Sequence, residues 1–452
     1  MKILKPQKVY IISLGCPKNL IDSEVMGGLL SRSGLQLINR SDLADIIIVN
    51  TCAFINPAKE EAIEEILNLV QEKKTGHDFR LIVTGCLAQR YGLELLAEIP
   101  EVDLFVGVGE VGNIVRHVNK LKKDHTSRAA IITKPDFLMT AKHARVLSNA
   151  TVSTYLKISD GCSNCCTYCA IPAIRGKARS RKPADILKEA QILAQRGIKE
   201  IIITGQDTTA YGRDLRDRPL LSALLKEMAQ IKGIKWIRLL YVHPAHLSVD
   251  VLETIATQKN ICRYIDLPIQ HINDDILMAM NRNVTSSQIK GIIEQARKII
   301  PDVAIRTSLI VGFPGETQKR FKKLYDFIRE VKFDHLGVFT YSREEGTKAA
   351  SLPGRISEAE KERRRDLIMT EQAEISRKIN QGLVGSIQEV LLEGKSERSD
   401  YNFIGRCRRQ APEIDGLIYV RAKQAKVGSI IKCQIIAADD YDLFANINGT
   451  RI

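Results

Sequence analysis

A chain of 452 residues with 44% hydrophobic content can bury more than one core, which excludes a tail or linker and favours roughly two to four domains. Its N-terminus shows no apolar leader and no segment approaches the roughly 18 apolar residues of a membrane span, so a cytoplasmic protein is expected. In that compartment ten cysteines point to metal or redox chemistry rather than a disulfide framework. The formal net charge of +14 favours an anionic partner, nucleic acid or ribosome being the common case.

From Lys8 to about Leu121, short β-branched runs (Val9 to Ser13, Ile46 to Asn50, Leu81 to Thr84) alternate with helical stretches such as Lys59 to Lys73. That alternation predicts an open parallel α/β domain over residues 8–121. A polar stretch, Lys122 to Arg128, then opens a less regular segment to about Ser148, which reads as a connection. Over residues 148–376 the alternation resumes with a longer period. Strands are predicted at Thr154 to Ile158, Glu200 to Thr204, Trp236 to Tyr241, Tyr264 to Leu267, Ala304 to Val311 and His335 to Thr340. Helices such as Pro183 to Gln195 and Ser286 to Ile299 fall between them. Six βα repeats are fewer than the eight of a closed barrel, so a partial barrel is expected. Ser357 with Glu360 reads as a capping box that starts a charged helix running to about Asn380. Over residues 377–452 the period changes to two. Short strands at Ser386 to Leu392, Asn402 to Arg408, Leu417 to Val420 and Ile430 to Ala437 predict a small all-β barrel.

Cys162, Cys166 and Cys169 form CxxxCxxC directly after a predicted strand. Three thiolates in one short loop can hold three irons of a four-iron four-sulfur cluster. The fourth iron is then open to chelate S-adenosylmethionine, and reduction of such a cluster releases a 5′-deoxyadenosyl radical able to take hydrogen from an unactivated carbon. A zinc knuckle is the bland alternative, but zinc normally needs a fourth ligand and tends to use CxxC pairs. Cys165 breaks the spacing and is not counted as a ligand. The stretch GFPGET, Gly312 to Thr317, is a turn-rich link whose glycines permit close backbone approach to a ligand; alone it would read as a tight turn.

Cys16, Cys52 and Cys86, in SLGCPKN, NTCAF and TGCLAQ, each lie two or three residues after a predicted parallel strand. The carboxyl ends of parallel strands share one edge, so these cysteines can converge on a second cluster with an open iron. A single cysteine there would more often be a small buried hydrophobe, the reading kept for Cys262, Cys407 and Cys433, which are expected in the core or at the surface.

The CxxxCxxC loop and the following Tyr168 to Pro172 resemble the radical S-adenosylmethionine superfamily. That resemblance implies cofactor contacts at Tyr168, at Gly205 and Gln206 within Thr204 to Asp207, and at Gly312 and Glu316 within Ser308 to Glu316. The whole arrangement resembles the methylthiotransferases over nearly the full chain. It implies that the cluster at Cys16, Cys52 and Cys86 bears the sulfur to be methylated and transferred, while the one at Cys162, Cys166 and Cys169 generates the radical. SLGCPKNLIDSE (Ser13 to Glu24), GQDTTAYGRD (Gly205 to Asp214), FDHLGVFTYSREEGTKAA (Phe333 to Ala350) and APEIDG (Ala411 to Gly416) resemble one branch, which modifies the β-carbon of an aspartate in small-subunit ribosomal protein twelve. The other branch, acting on an adenosine in transfer RNA, would show a glutamine-methionine pair after the first cysteine. A low-potential flavodoxin or ferredoxin is implied as electron donor.

The end barrel resembles a TRAM domain. From Arg377 onward it has 12 basic and 9 acidic residues, a difference of +3, which suits a protein target better than free RNA. Cys165 departs from the family pattern, where a basic or polar residue is more usual. Transfer-RNA methylthiolation and a non-enzymatic, zinc-holding RNA-binding protein stay open as alternatives.

Overall fold

The computed structural model describes residues 6–123, 128–148 and 152–447. Its first unit is a six-stranded, wholly parallel sheet in the order Gln36–Leu37, Lys8–Ser13, Ile46–Thr51, Arg80–Gly85, Leu104–Val106, Ala129–Ile131. The three strands expected from sequence are its neighbouring inner strands. The other three are only two or three residues long, too short to display a period. Ala129–Ile131 falls inside the segment expected to be a connection, yet it forms the sheet edge. Of the polar stretch before it, residues 124–127 lie outside the described residues.

The central unit holds six parallel strands in two arcs. One arc is Ser153–Lys157, Glu200–Thr204 and Trp236–Leu239; the other is Tyr264–Asp266, Ala304–Val311 and His335–Thr340. A lone bridge, Ile237 to Ile261, joins the arcs. Among the described residues no ladder pairs the first strand with the last, so the barrel stays open as expected. Buried Leu156, Ile201, Ile237, Ile305 and Leu309 pack against the surrounding helices to form its core.

Helix Glu358–Gln381 lies along the last strand, with Ile368 and Ile375 buried and the Gln372 amide donating to the Phe333 carbonyl at 2.8 Å. Its Ser357 cap accepts from the Glu360 N–H at 3.3 Å, but the Glu360 carboxylate turns to Arg363 and Arg364 instead of returning to the cap. Only half of the expected capping box forms. A complete one sits elsewhere, at Thr285 and Gln288, starting helix Ser286–Ile299.

The chain ends in a closed five-stranded barrel in the order Ile387–Lys395, Phe403–Arg406, Ile418–Arg421, Leu443–Ile447, Ile430–Ala438. Its fifth strand, Leu443–Ile447, was not expected. The first four of its residues are all buried, so it lacks the alternation that betrays a half-exposed strand. Arg406 reaches from this barrel to Glu200, at the start of a central strand, at 2.6 Å, and both side chains are fully buried.

Candidate active site between two cysteine triads

Register explains why the first three cysteines meet. Ser13 pairs with Asn50, and Asn50 with Thr84, so three adjacent strands end level with one another. Cys16 follows as the N-cap of helix Pro17–Arg32, Cys52 comes directly after its strand, and Cys86 opens helix Cys86–Glu98. Gly15 has φ +86, and a Cβ there would stand 2.5 Å from the Cys52 Cβ; only glycine lets the Cys16 loop lie against Cys52. Asn19 ties the loop down, its amide donating to the Leu14 and Thr51 carbonyls at 3.1 and 2.8 Å, while its Oδ1 accepts from Cys86 Sγ at 3.8 Å.

The three thiols differ. Burial pushes Cys16 up, but Lys18, Arg175 and the N–H groups of Asn19 and Lys18 outweigh it and leave that thiol below its ordinary value. Burial, with the charges of Cys86 and Cys16, pushes Cys52 up to about 12, and burial raises Cys86 although Arg175 opposes it. A raised thiol is protonated at neutral pH and loses its proton on binding a metal.

The second triad sits in the loop after Ser153–Lys157. The Cys162 N–H donates to the Gly176 carbonyl at 3.0 Å and the Cys169 N–H to the Cys166 carbonyl at 3.1 Å. Gly161, at φ +75, would bring a Cβ within 2.2 Å of the Lys177 carbonyl oxygen. Arg282 donates to Cys166 Sγ at 3.7 Å. Burial lifts Cys162 to about 11 and Cys169 to about 12. Cys165 is exposed, with its Sγ turned to the Ser163 carbonyl at 3.8 Å. Cys262, Cys407 and Cys433 are buried in hydrophobic cores.

Among the described residues the sole group bringing three ligand atoms within 4.8 Å of one another is Asp207, His243 and His246.

The strand ends around the second triad carry the other residues expected at a cofactor. Gln206 donates to Asp160 at 2.9 Å, while its Oε1 is buried without a partner. An orphaned acceptor there fits a ligand bringing an N–H or ammonium group. A Cβ on neighbouring Gly205 would meet Ser159 Oγ at 2.7 Å. Tyr168 packs beside Ile276, Met280, Phe313 and Tyr341, and burial raises its hydroxyl pKa. Glu316 is fully buried, and its carboxylate accepts from the Gly312 N–H, from Arg364 at 2.7 Å and faces His271 at 3.2 Å. All these partners are the protein's own, so Glu316 fixes the conformation of the Gly312 turn.

A buried charge network links the segments that carry the two triads. Lys157 donates to Asp22 at 2.5 Å and Asp160 at 3.1 Å; Arg175 reaches Asn19 at 2.6 Å, Asp22 at 3.0 Å and Asp160 at 3.2 Å. Arg145 joins Glu24 and Glu189, each at 2.5 Å. Lys18 lies with its Nζ 3.4 Å from the centroid of the Tyr241 ring. Sequence reading singled out none of Lys18, Arg175, His243 and His246 as site residues. The available signal was acidic Asp22 and Glu24 set among Leu20, Ile21, Val25 and Met26 of one helix, where buried charge demands a partner.

Comparison with known proteins follows the same division. Residues 8–107 match the uncharacterized protein family UPF0004, residues 156–328 the radical SAM superfamily, and residues 384–447 the TRAM domain. A ribosomal protein uS12 methylthiotransferase RimO from Syntrophus aciditrophicus is 56% identical over 448 residues, spanning 98% of this chain and 99% of that protein. Proteins of the same name from Geobacter sulfurreducens and Clostridioides difficile are 47% and 46% identical, spanning 98% and 97% of this chain and 98% of each relative. Among solved structures, the radical S-adenosylmethionine methyltransferase TsrM from Kitasatospora setae shares the fold, with TM-score 0.57 and 13% identity over 85% of this chain and 80% of that one. Among the described residues no helix is long and apolar enough to cross a membrane.

Proposed function

The chain belongs to the ribosomal protein uS12 methylthiotransferase family of radical S-adenosylmethionine enzymes, and we propose that its target is the β-carbon of an aspartate in uS12, modified in the cytoplasm with two clusters at work. The observation that carries this reading is the pair of cysteine triads tied together through Asn19, Asp22, Arg175 and Asp160. When bound, S-adenosylmethionine with a cluster at Cys162, Cys166 and Cys169 supplies the hydrogen-abstracting radical, and a cluster at Cys16, Cys52 and Cys86 supplies the sulfur.

The protein's own groups prepare the site. Arg282, buried, donates to Cys166 Sγ and sets a positive charge beside it. Asp160 is held well below the usual carboxylate range: burial opposes this, but Lys157 and Arg175 prevail. Its ionised oxygen fixes the Gln206 amide and leaves the unpartnered Oε1 as the acceptor that would take an ammonium group of the bound cofactor. Tyr168, Gly205 and Gly312 shape the walls, with Glu316 holding the Gly312 turn. Electrons come from a low-potential flavodoxin or ferredoxin.

Anaerobic reconstitution tests the two-cluster reading: about eight irons per chain are expected, and zinc without iron would end it. Cys162→Ala abolishes reductive cleavage of S-adenosylmethionine. Cys16→Ala spares that cleavage while stopping sulfur insertion.

A further inference from the structure

Glu344, in the loop after the last barrel strand, ties that loop to the segments that carry two of the cysteines of the first triad. Its side chain is 1% exposed. Oε2 accepts from Lys59 and from Arg90, each at 2.9 Å, and Oε1 accepts from the Ser342 hydroxyl at 2.8 Å. Lys59 stands in the first turn of helix Asn56–Lys74, which follows Cys52, and Arg90 lies one turn past Cys86 in helix Cys86–Glu98. Arg90 also donates to the carbonyl of Ala53, directly after Cys52, at 2.7 Å and to the Glu345 carbonyl at 3.1 Å. The Asn56 N–H donates to the Ser342 hydroxyl at 3.3 Å. Burial pushes the Glu344 carboxyl up, but Lys59, Arg90 and Ser342 outweigh it and keep the group ionised.

The same loop is fixed to the other triad. The Glu344 carbonyl accepts from the Thr347 N–H at 3.2 Å and from its hydroxyl at 2.6 Å, closing a turn into the short helix Lys348–Ser351. There the Ala349 N–H donates at 2.9 Å to the carbonyl of Thr167, the residue after Cys166. Thr167 is pinned further, its N–H donating to the Met280 carbonyl at 3.0 Å and its hydroxyl to the Ala279 carbonyl at 2.7 Å. This path from Cys52 and Cys86 to Cys166 shares no residue with the Asp22, Arg175 and Asp160 network, which reaches the first triad through the helix that begins at Cys16. A single tie lets two units rock about it. Two ties through different segments fix their spacing as well.

We propose that Glu344 is a positioning residue that sets the separation of the two cysteine triads, so that a radical formed at one leads to sulfur transfer from the other. The inference rests on the two-cluster reading above. The partners of Glu344 are the protein's own groups, so it acts through the two loops and not on substrate.

The test uses the reconstituted full-length enzyme and takes two readings. One is the magnetic coupling between the two reduced clusters by electron paramagnetic resonance, which depends steeply on their distance. The other is methylthio product formed per 5′-deoxyadenosine released. In Glu344→Gln the coupling shifts from the wild-type value and the product ratio falls roughly 10-fold or more, within the ~100-fold that a misplacement of about 1 Å can cost. Lys59→Met, which leaves Arg90 on Glu344, moves both readings the same way by less, and it decides the matter if Glu344→Gln does not load its iron. A purely structural role would lower the unfolding midpoint and leave both readings unmoved. Either reading left at the wild-type value in loaded Glu344→Gln, or in Lys59→Met where the first variant does not load, overturns the assignment. Wild-type enzyme that takes up only about four irons per chain and shows one cluster signal instead overturns the two-cluster reading, a separate outcome.

Discussion

Asp22 answers two cations at once, Lys157 and Arg175, with side-chain exposure of 5% or less on all three. Removing its charge leaves the two cations to share Asp160 alone in a place water does not reach. Asp22→Asn is expected to lower stability by about 3–5 kcal/mol, as breaking a buried pair does. Denaturant unfolding of the full chain measures it, and a loss below about 1 kcal/mol would show that the network contributes little. The sequence made the cysteines legible at this scale because their spacing is local or repeats after each strand. It could not make Asp22 or Glu24 legible: their partners Lys157 and Arg145 lie 135 and 121 residues away, and no short-range pattern encodes such a pairing.

At the scale of elements, the end barrel is anchored to the central strands through Glu200, which meets Arg238 at 2.9 Å and Arg406 at 2.6 Å. Burial pushes its carboxyl up, yet Arg406 and Arg238 outweigh that and bring it from an ordinary 4.5 to about 2. A depressed carboxyl contributes stability that is present above its unfolded value and lost as pH falls through its folded value. The anchor is therefore predicted to weaken between pH 4.5 and about 2. Glu200→Gln, which leaves Arg238 buried without a carboxylate and Arg406 with Glu393 alone, costs about 3–5 kcal/mol at neutral pH. Denaturation midpoints of both forms across the acid window check this, and equal slopes would contradict it. Strands of five or more residues at Ala304–Val311 and His335–Thr340 were readable from β-branched content, as was helix Ser286–Ile299 from its period. Gln36–Leu37 and Leu443–Ile447 were not: one is too short to show a period, and the other is buried throughout its first four residues.

Over the whole molecule the charge of +14 follows chain length, with +3 from Arg377 onward and +11 before it. A chain this basic gains attraction to a ribosomal target where anionic ribosomal RNA takes part. Affinity for small-subunit particles is therefore expected to exceed that for free uS12, and to fall as salt rises from roughly 50 to 200 mM. Sedimentation of the enzyme with particles at graded salt checks this, and salt-independent binding would contradict it.

Mass spectrometry of uS12 from cells with and without this chain decides the target. The aspartate should lose its methylthio group in the deletion and regain it with the wild-type chain but not with Cys16→Ala, while transfer-RNA nucleosides stay unchanged. Unaltered uS12 in the deletion, with a methylthioadenosine lost from transfer RNA, would contradict the proposal.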